Sequence, residues 1–324
     1  MPFMWSVLQS STHFIAKELL NLHSDSAPLL FAESFLIPQY PLTMRSNFLI
    51  IFFFVGLLFF APDIKAQIIP TENEREFTDS LKETLDYGPY FGLYKDNYFT
   101  VGTTVGKKPT RTNSDVKFQI SLSFRITNAV LPWNTYLFVM YNQKTFWNVF
   151  ENSLPMHDLN YNPGIGWAKP FFNKGRYVGK LTLLLEHESN GRDGDASRSW
   201  NRVSFCGHTM IDEFLMVHGK IWIPIIDGMN NKDILNYCGI FQWGVTATTY
   251  NKNFTFGLTM VKRKGWNLNY NTIFETAWRV NKKMNLNLFA QYYNGYGECL
   301  LDYNKFHSMF RVGIVFKPYF FSEF

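Results

Sequence analysis

The chain has 324 residues, with 31 Lys and Arg against 26 Asp and Glu, and its formal charge of +5 forms no basic stripe of the kind nucleic acid requires. Mean hydropathy is -0.13 although 18% of residues are aromatic. Past residue 66 no run approaches the ~18 apolar residues of a membrane helix, so helical spans of the mature chain are excluded.

Residues 1–43 lack periodicity and read as an extension ahead of Met44, the expected start. Residues 44–66 read as a signal peptide. Arg45 precedes the apolar run Phe48–Phe60, and Ile64-Lys65-Ala66 offers a small residue for cleavage. No Cys follows the run, so a lipid anchor is not expected. Residues 67–95 are polar and irregular and are expected to form a periplasmic segment ahead of the folded domain, 96–324. Cys206, Cys238 and Cys299 are odd in number and far apart, which fits packed free thiols rather than a disulfide framework.

From residue 96 onward, apolar and polar residues alternate with period two. Phe118, Ile120, Leu122 and Phe124 oppose Lys117, Gln119, Ser121 and Ser123; Phe310, Val312, Ile314 and Phe316 oppose Arg311, Gly313, Val315 and Lys317. Segments 241–249, 254–261 and 286–292 alternate likewise. One face is rich in Phe, Leu and Trp and the other is hydrophilic. Trp147, Trp167, Trp222, Trp266, Tyr292 and Tyr293 gather near segment ends, as interfacial girdles do. Together with export, this predicts an all-β fold: a transmembrane antiparallel β-barrel. Strands are expected near 96–105, 115–126, 134–147, 161–171, 178–189, 200–210, 213–224, 236–250, 253–263, 267–280, 283–296 and 306–319, twelve in all.

The chemistry concentrates in His187–Asn201, which reads His-Glu-Ser-Asn-Gly-Arg-Asp-Gly-Asp-Ala-Ser-Arg-Ser-Trp-Asn. Parity puts Leu181, Leu183, Leu185, His187 and Ser189 on one face and Thr182, Leu184, Glu186 and Glu188 on the other. After the turn, Asn201, Val203 and Phe205 share a face. The apolar company of His187, Ser189 and Asn201 places them on the lipid-facing wall, where polar groups cost free energy and call for a lipid substrate. His187 can take the proton of Ser189. The Asn201 amide can fix the imidazole tautomer without a buried charge. Gly191 permits close approach of backbone amides as an oxyanion hole.

His-x-Ser-Asn-Gly-Arg followed by Ser-Arg-Ser-Trp-Asn-Arg resembles the signature of the outer membrane phospholipase A family. Asp115–Leu122, Tyr141–Trp147, Asn160–Pro163 and Tyr296–Asn304 look like the same family, so the resemblance runs over about residues 90–320. It implies a twelve-stranded barrel enzyme with Ser189 as nucleophile, His187 as base and Asn201 as orienter. It would hydrolyse acyl esters of phospholipids and lysophospholipids in the outer membrane, as an A1 or A2 activity. It further implies Ca²⁺ as cofactor, held by the Arg192 carbonyl, the Ser197 hydroxyl and, from a second copy, Ser153. Asp193, Asp195 and Asn230, with Asp227 and Asp233 nearby, are further candidate ligands. Gly194 stands where the family commonly has an acid. An active homodimer is implied, with Gln143 in the contact, on the face of Leu137, Val139 and Tyr141. The residues alone leave open a non-catalytic pore or adhesin, and a deacylase of lipid A.

Overall fold

The structure, a computed structural model, describes residues 90–173, 176–225, 229–281 and 286–317. The signal peptide, the 1–43 extension, residues 67–89 and Asp227 lie outside the described residues. Thirteen strands form one antiparallel sheet: β1 (Phe91–Leu93), β2 (Asn97–Thr104), β3 (Ser114–Arg125), β4 (Tyr136–Trp147), β5 (Met156–Asn173), β6 (Arg176–Ser189), β7 (Ser199–Met210), β8 (Leu215–Ile225), β9 (Phe241–Thr248), β10 (Phe254–Lys262), β11 (Tyr270–Trp278), β12 (Leu286–Gly295) and β13 (His307–Phe316). Neighbours in sequence pair from β2 to β13, and β13 pairs β2, with Val312 opposite Val101. That last ladder closes the barrel and leaves no open edge.

The barrel has twelve staves. β1 and β2 both pair β3, with Leu93 opposite Leu122 and Tyr98 opposite Gln119. They form one stave, broken at Tyr94–Asp96. The sheet therefore begins at Phe91, inside the segment expected to precede it.

Alternation sets which side each residue takes. In β6, Leu181, Leu183 and Leu185 are exposed on the outer wall while Thr182, Leu184, Glu186 and Glu188 are buried in the lumen. In β13, Phe310, Val312 and Phe316 face outward, and Arg311 and Val315 inward. Short turns are closed by side-chain acceptors. Asp212 Oδ1 takes the N–H groups of Phe214 and Leu215, both at 2.7 Å, between β7 and β8.

The lumen is filled. Tyr94, Tyr136, Phe138, Met140, Ala168 and Leu184 pack together inside one end. Trp200, Trp222, Ile234, Leu300 and Tyr303 pack inside the other. Between them lie buried ion pairs: Glu186 meets Lys220 (2.5 Å) and Arg202 (3.1 Å), and Glu298 meets Lys117 (3.0 Å) and Arg311 (2.6 Å). A cavity of about 470 Å³ remains.

Three further expectations change. Trp222 and Tyr293 are not in a lipid-facing girdle; both are buried in the lumen, and Trp222 Nε1 donates to the Gly239 carbonyl. The strand expected from 236 begins at Phe241, after a short helix, α1 (Leu235–Cys238), which Gly239 ends at φ +79°. The strand expected from 161, β5, opens at Met156.

Candidate active site

β6 and β7 are paired so that His187 lies opposite Asn201 and Ser189 opposite Ser199. Cross-strand partners on one face stand about 5 Å apart at Cβ, within reach of a His–Asn contact. His187 Nδ1 and Asn201 Oδ1 are 2.8 Å apart. Nδ1 must carry the proton, because an amide oxygen only accepts. That leaves Nε2 with its lone pair. Nε2 is shielded from solvent and has no hydrogen-bond partner. Ser189, two residues along the same outward face, is half-buried and is not bonded to it. The His187 carbonyl accepts from Asn162 Nδ2 at 2.7 Å, which ties β6 to β5 beneath the imidazole.

The turn from 190 to 198 is built around Asn190, only 3% exposed. Its Oδ1 accepts the N–H groups of Arg192 and Arg198, and its Nδ2 donates to the Ala196 carbonyl at 2.9 Å. Gly191 sits at φ +66°, and a Cβ there would stand 3.0 Å from the Tyr161 ring, so glycine is favoured on both counts. Its N–H has no partner among the described residues. Gly194 adopts φ +54°, a left-handed conformation that glycine takes without strain. Its carbonyl accepts from Ser197 N–H (3.1 Å) and Asn230 Nδ2 (2.8 Å). The loop after β8 therefore reaches the turn.

The donor set suits a hard cation. Arg198 Nη1 occupies the carbonyls of Asp195 and Ser197, and Asn190 occupies that of Ala196. Among the described residues, the Arg192 carbonyl and the Ser197 hydroxyl take part in no hydrogen bond. These are the two oxygens the resemblance assigns to calcium, and oxygen ligands are what Ca²⁺ prefers. Asp193 and Asp195 are exposed beside them and raise the local negative potential. Asp233 is engaged elsewhere: it accepts from the Tyr303 hydroxyl. Ser153 lies in the loop between β4 and β5, exposed, at φ +65°, at the same barrel end as the turn.

Gln143 faces outward beside exposed Ile120, as its parity predicts. Its amide is not bare, however. It accepts from Tyr141 Oη (2.7 Å) and donates to Thr145 Oγ1 (3.1 Å), a ladder along β4.

Sequence reasoning missed several supports. Asp158 is fully buried and accepts from Asn160 Nδ2 (2.6 Å) and Leu301 N–H (2.8 Å). Arg192 Nη2 donates to the His157 carbonyl at 2.5 Å. Asn231, also fully buried, brackets Ser199 through both its N–H and its carbonyl. Asn190 lies within the motif and Asn160 in a segment carrying the resemblance, which was the available signal.

A family model described as phospholipase A1 matches residues 88–316. The phospholipase A1 of Salmonella typhimurium strain LT2 is 28% identical over 270 residues, covering 80% of this chain and 90% of the relative. That of Escherichia coli K12 is 30% identical over 214 residues, covering 64% and 71%. The barrel is similar to the solved outer membrane phospholipase A from Escherichia coli, with a TM-score of 0.62 at 25% identity, covering 71% of this chain and 99% of that one. It is similar also to the Salmonella typhi outer membrane phospholipase dimer with bound calcium, with a TM-score of 0.63 at 26% identity, covering 73% and 96%.

Proposed function

The chain belongs to the phospholipase A1 family and is a phospholipase of the outer membrane, and on that premise we propose that Ser189, His187 and Asn201 cleave acyl esters of phospholipids and lysophospholipids at the lipid-facing wall. The observation that carries this is the outward imidazole, held through Nδ1 by Asn201 at 2.8 Å with Nε2 left free. A neutral Nε2 can take the Ser189 Oγ proton as Oγ attacks the ester carbonyl. His187 then returns that proton to the departing lysophospholipid or glycerol oxygen, leaving acyl-Ser189. Water, deprotonated by the same nitrogen, releases the fatty acid. The Ser–His contact, open in this structure, closes as substrate seats; catalytic hydrogen bonds are commonly loose without substrate.

The developing oxyanion needs donors. The unpartnered Gly191 N–H supplies one. The Arg192 carbonyl and Ser197 hydroxyl would hold calcium, with Asp193, Asp195 and the Oδ1 of Asn230 as further oxygens on the turn. Calcium there supplies positive charge beside the oxyanion. A second copy, contributing Ser153 and meeting this one near Gln143, would complete the ligand shell.

The test is fatty-acid release from phospholipid–detergent micelles, with calcium, with chelator, and with Ser189→Ala. Release should require calcium and fall by about 10⁴-fold or more in the variant, as when a Ser nucleophile is removed elsewhere. Release that ignores chelator overturns the calcium role, and release that survives Ser189→Ala overturns the nucleophile.

A further inference from the structure

We propose that His157, Cys299 and Asp302 form a second, thiolate-containing site for a borderline-soft divalent cation, zinc being the best fit, at the rim of the barrel. Their ligand atoms (an imidazole nitrogen, the thiol sulfur and a carboxylate oxygen) all lie within 4.8 Å of one another. That set of one N, one S and one O is what zinc takes, with water as fourth ligand. It is unsuited to calcium, which takes oxygens alone. The site is distinct from the turn at 190–198: it lies where the β12–β13 loop folds against the start of β5.

The three residues are held by built structure. His157 is the extra residue of a bulge, because Phe146 pairs Asp158 and Trp147 pairs Met156. Bulges re-aim side chains in this way at rims and functional sites. Cys299 is buried and Asp302 largely so. Between them, the N–H groups of Leu300 and Leu301 are fixed by Asn160 Oδ1 (3.1 Å) and Asp158 Oδ2 (2.8 Å). His157 Nε2 donates a hydrogen bond to Asp302 Oδ2 at 3.0 Å. A cation would take that proton's place and release the thiol proton of Cys299, so binding should weaken as pH falls. Lys305, which meets Asp302 Oδ1 at 2.9 Å, is two-thirds exposed and need not move. Because the His157 carbonyl accepts from Arg192 at 2.5 Å, an occupied site would also brace the proposed calcium turn.

Cobalt reports such a site directly, through a near-ultraviolet thiolate-to-metal charge-transfer band. Purified, detergent-solubilised protein is titrated with Co²⁺ in excess Ca²⁺, which keeps the oxygen ligands of the turn occupied. One Co²⁺ per chain should give the band, and Zn²⁺ should abolish it. Cys299→Ser should lose the band and Cys238→Ser keep it, each verified as folded by the gel mobility of the unboiled barrel. His157→Asn and Asp302→Asn should keep a band with at least tenfold weaker cobalt affinity. The absence of a band in the wild type overturns the site. So does a band that survives Cys299→Ser, or cobalt affinity unchanged in both His157→Asn and Asp302→Asn. None of these readouts depends on hydrolysis, so failure here leaves the phospholipase reading intact.

Discussion

His187 and Asn201 meet because the β6–β7 register puts them opposite each other on the outer wall. The contact is neutral. A carboxylate in the place of Asn201 would add charge at a face that borders lipid, where charge is costly. The orienter then contributes one hydrogen bond of about 1–2 kcal/mol, which converts to ~5–30-fold in rate. Asn201→Ala should therefore lower kcat by about that factor with KM little changed, measured on micellar substrate. A loss as large as that of Ser189→Ala would mean that Asn201 does more than orient. Parity put both residues on one face, since period two sorts residues without knowledge of depth or tilt, and the family resemblance gave Asn201 its role as orienter. The sequence could not reveal that Asn190, next to the proposed nucleophile, is the buried hub of the turn. Its importance lies in which backbone groups it reaches, and composition does not encode that.

Strands whose two faces differ in polarity were readable in extent and facing; where the faces are alike, the extent or the facing was obscured. β6 and β13 alternate cleanly and fall where expected. In β4 both faces are apolar, because Tyr136, Phe138 and Met140 belong to the cluster that fills one end of the lumen. The early part of β5 is polar inside, at Asp158, Asn160 and Asn162, and lacks a strong apolar outer face. α1 escaped because its neighbour Ile234 is drawn inward, fully buried against Trp200 and Trp222, so that segment never shows a two-residue period. The wall itself is testable. Leu183 is exposed near the middle of β6. Leu183→Arg should destabilise the barrel in bilayers by about 2–4 kcal/mol if that face is lipid-exposed at mid-depth. No change in the unfolding midpoint would contradict the outward assignment.

Across the whole molecule, charge inside and apolar surface outside invert the usual globular plan. Glu298, in the β12–β13 loop, shows the consequence. Burial alone would raise its carboxyl, but Arg311 and Lys117 outweigh burial and hold it at about 2. A depressed carboxylate adds stability that is fully present above the ordinary Glu range, ~4.3, and is lost as pH falls through the folded value. Glu298→Gln, which leaves buried Lys117 without its carboxylate partner and Arg311 with Asp115 alone, should cost about 3–5 kcal/mol at neutral pH. In thermal unfolding, that gap should hold above about pH 5 and close between about pH 4 and 2. A gap independent of pH would mean that packing, not charge, accounts for it. The central claim concerns the outer wall rather than this interior: Ser189 is the activated nucleophile of a lipid-facing site. Its most direct measurement is covalent labelling by a long-chain sulfonyl fluoride, mapped by mass spectrometry, in wild type and His187→Ala. The account predicts one label per chain, on Ser189, formed in calcium and abolished in His187→Ala; a label on another residue, or equal labelling of Ser189 without His187, would contradict it.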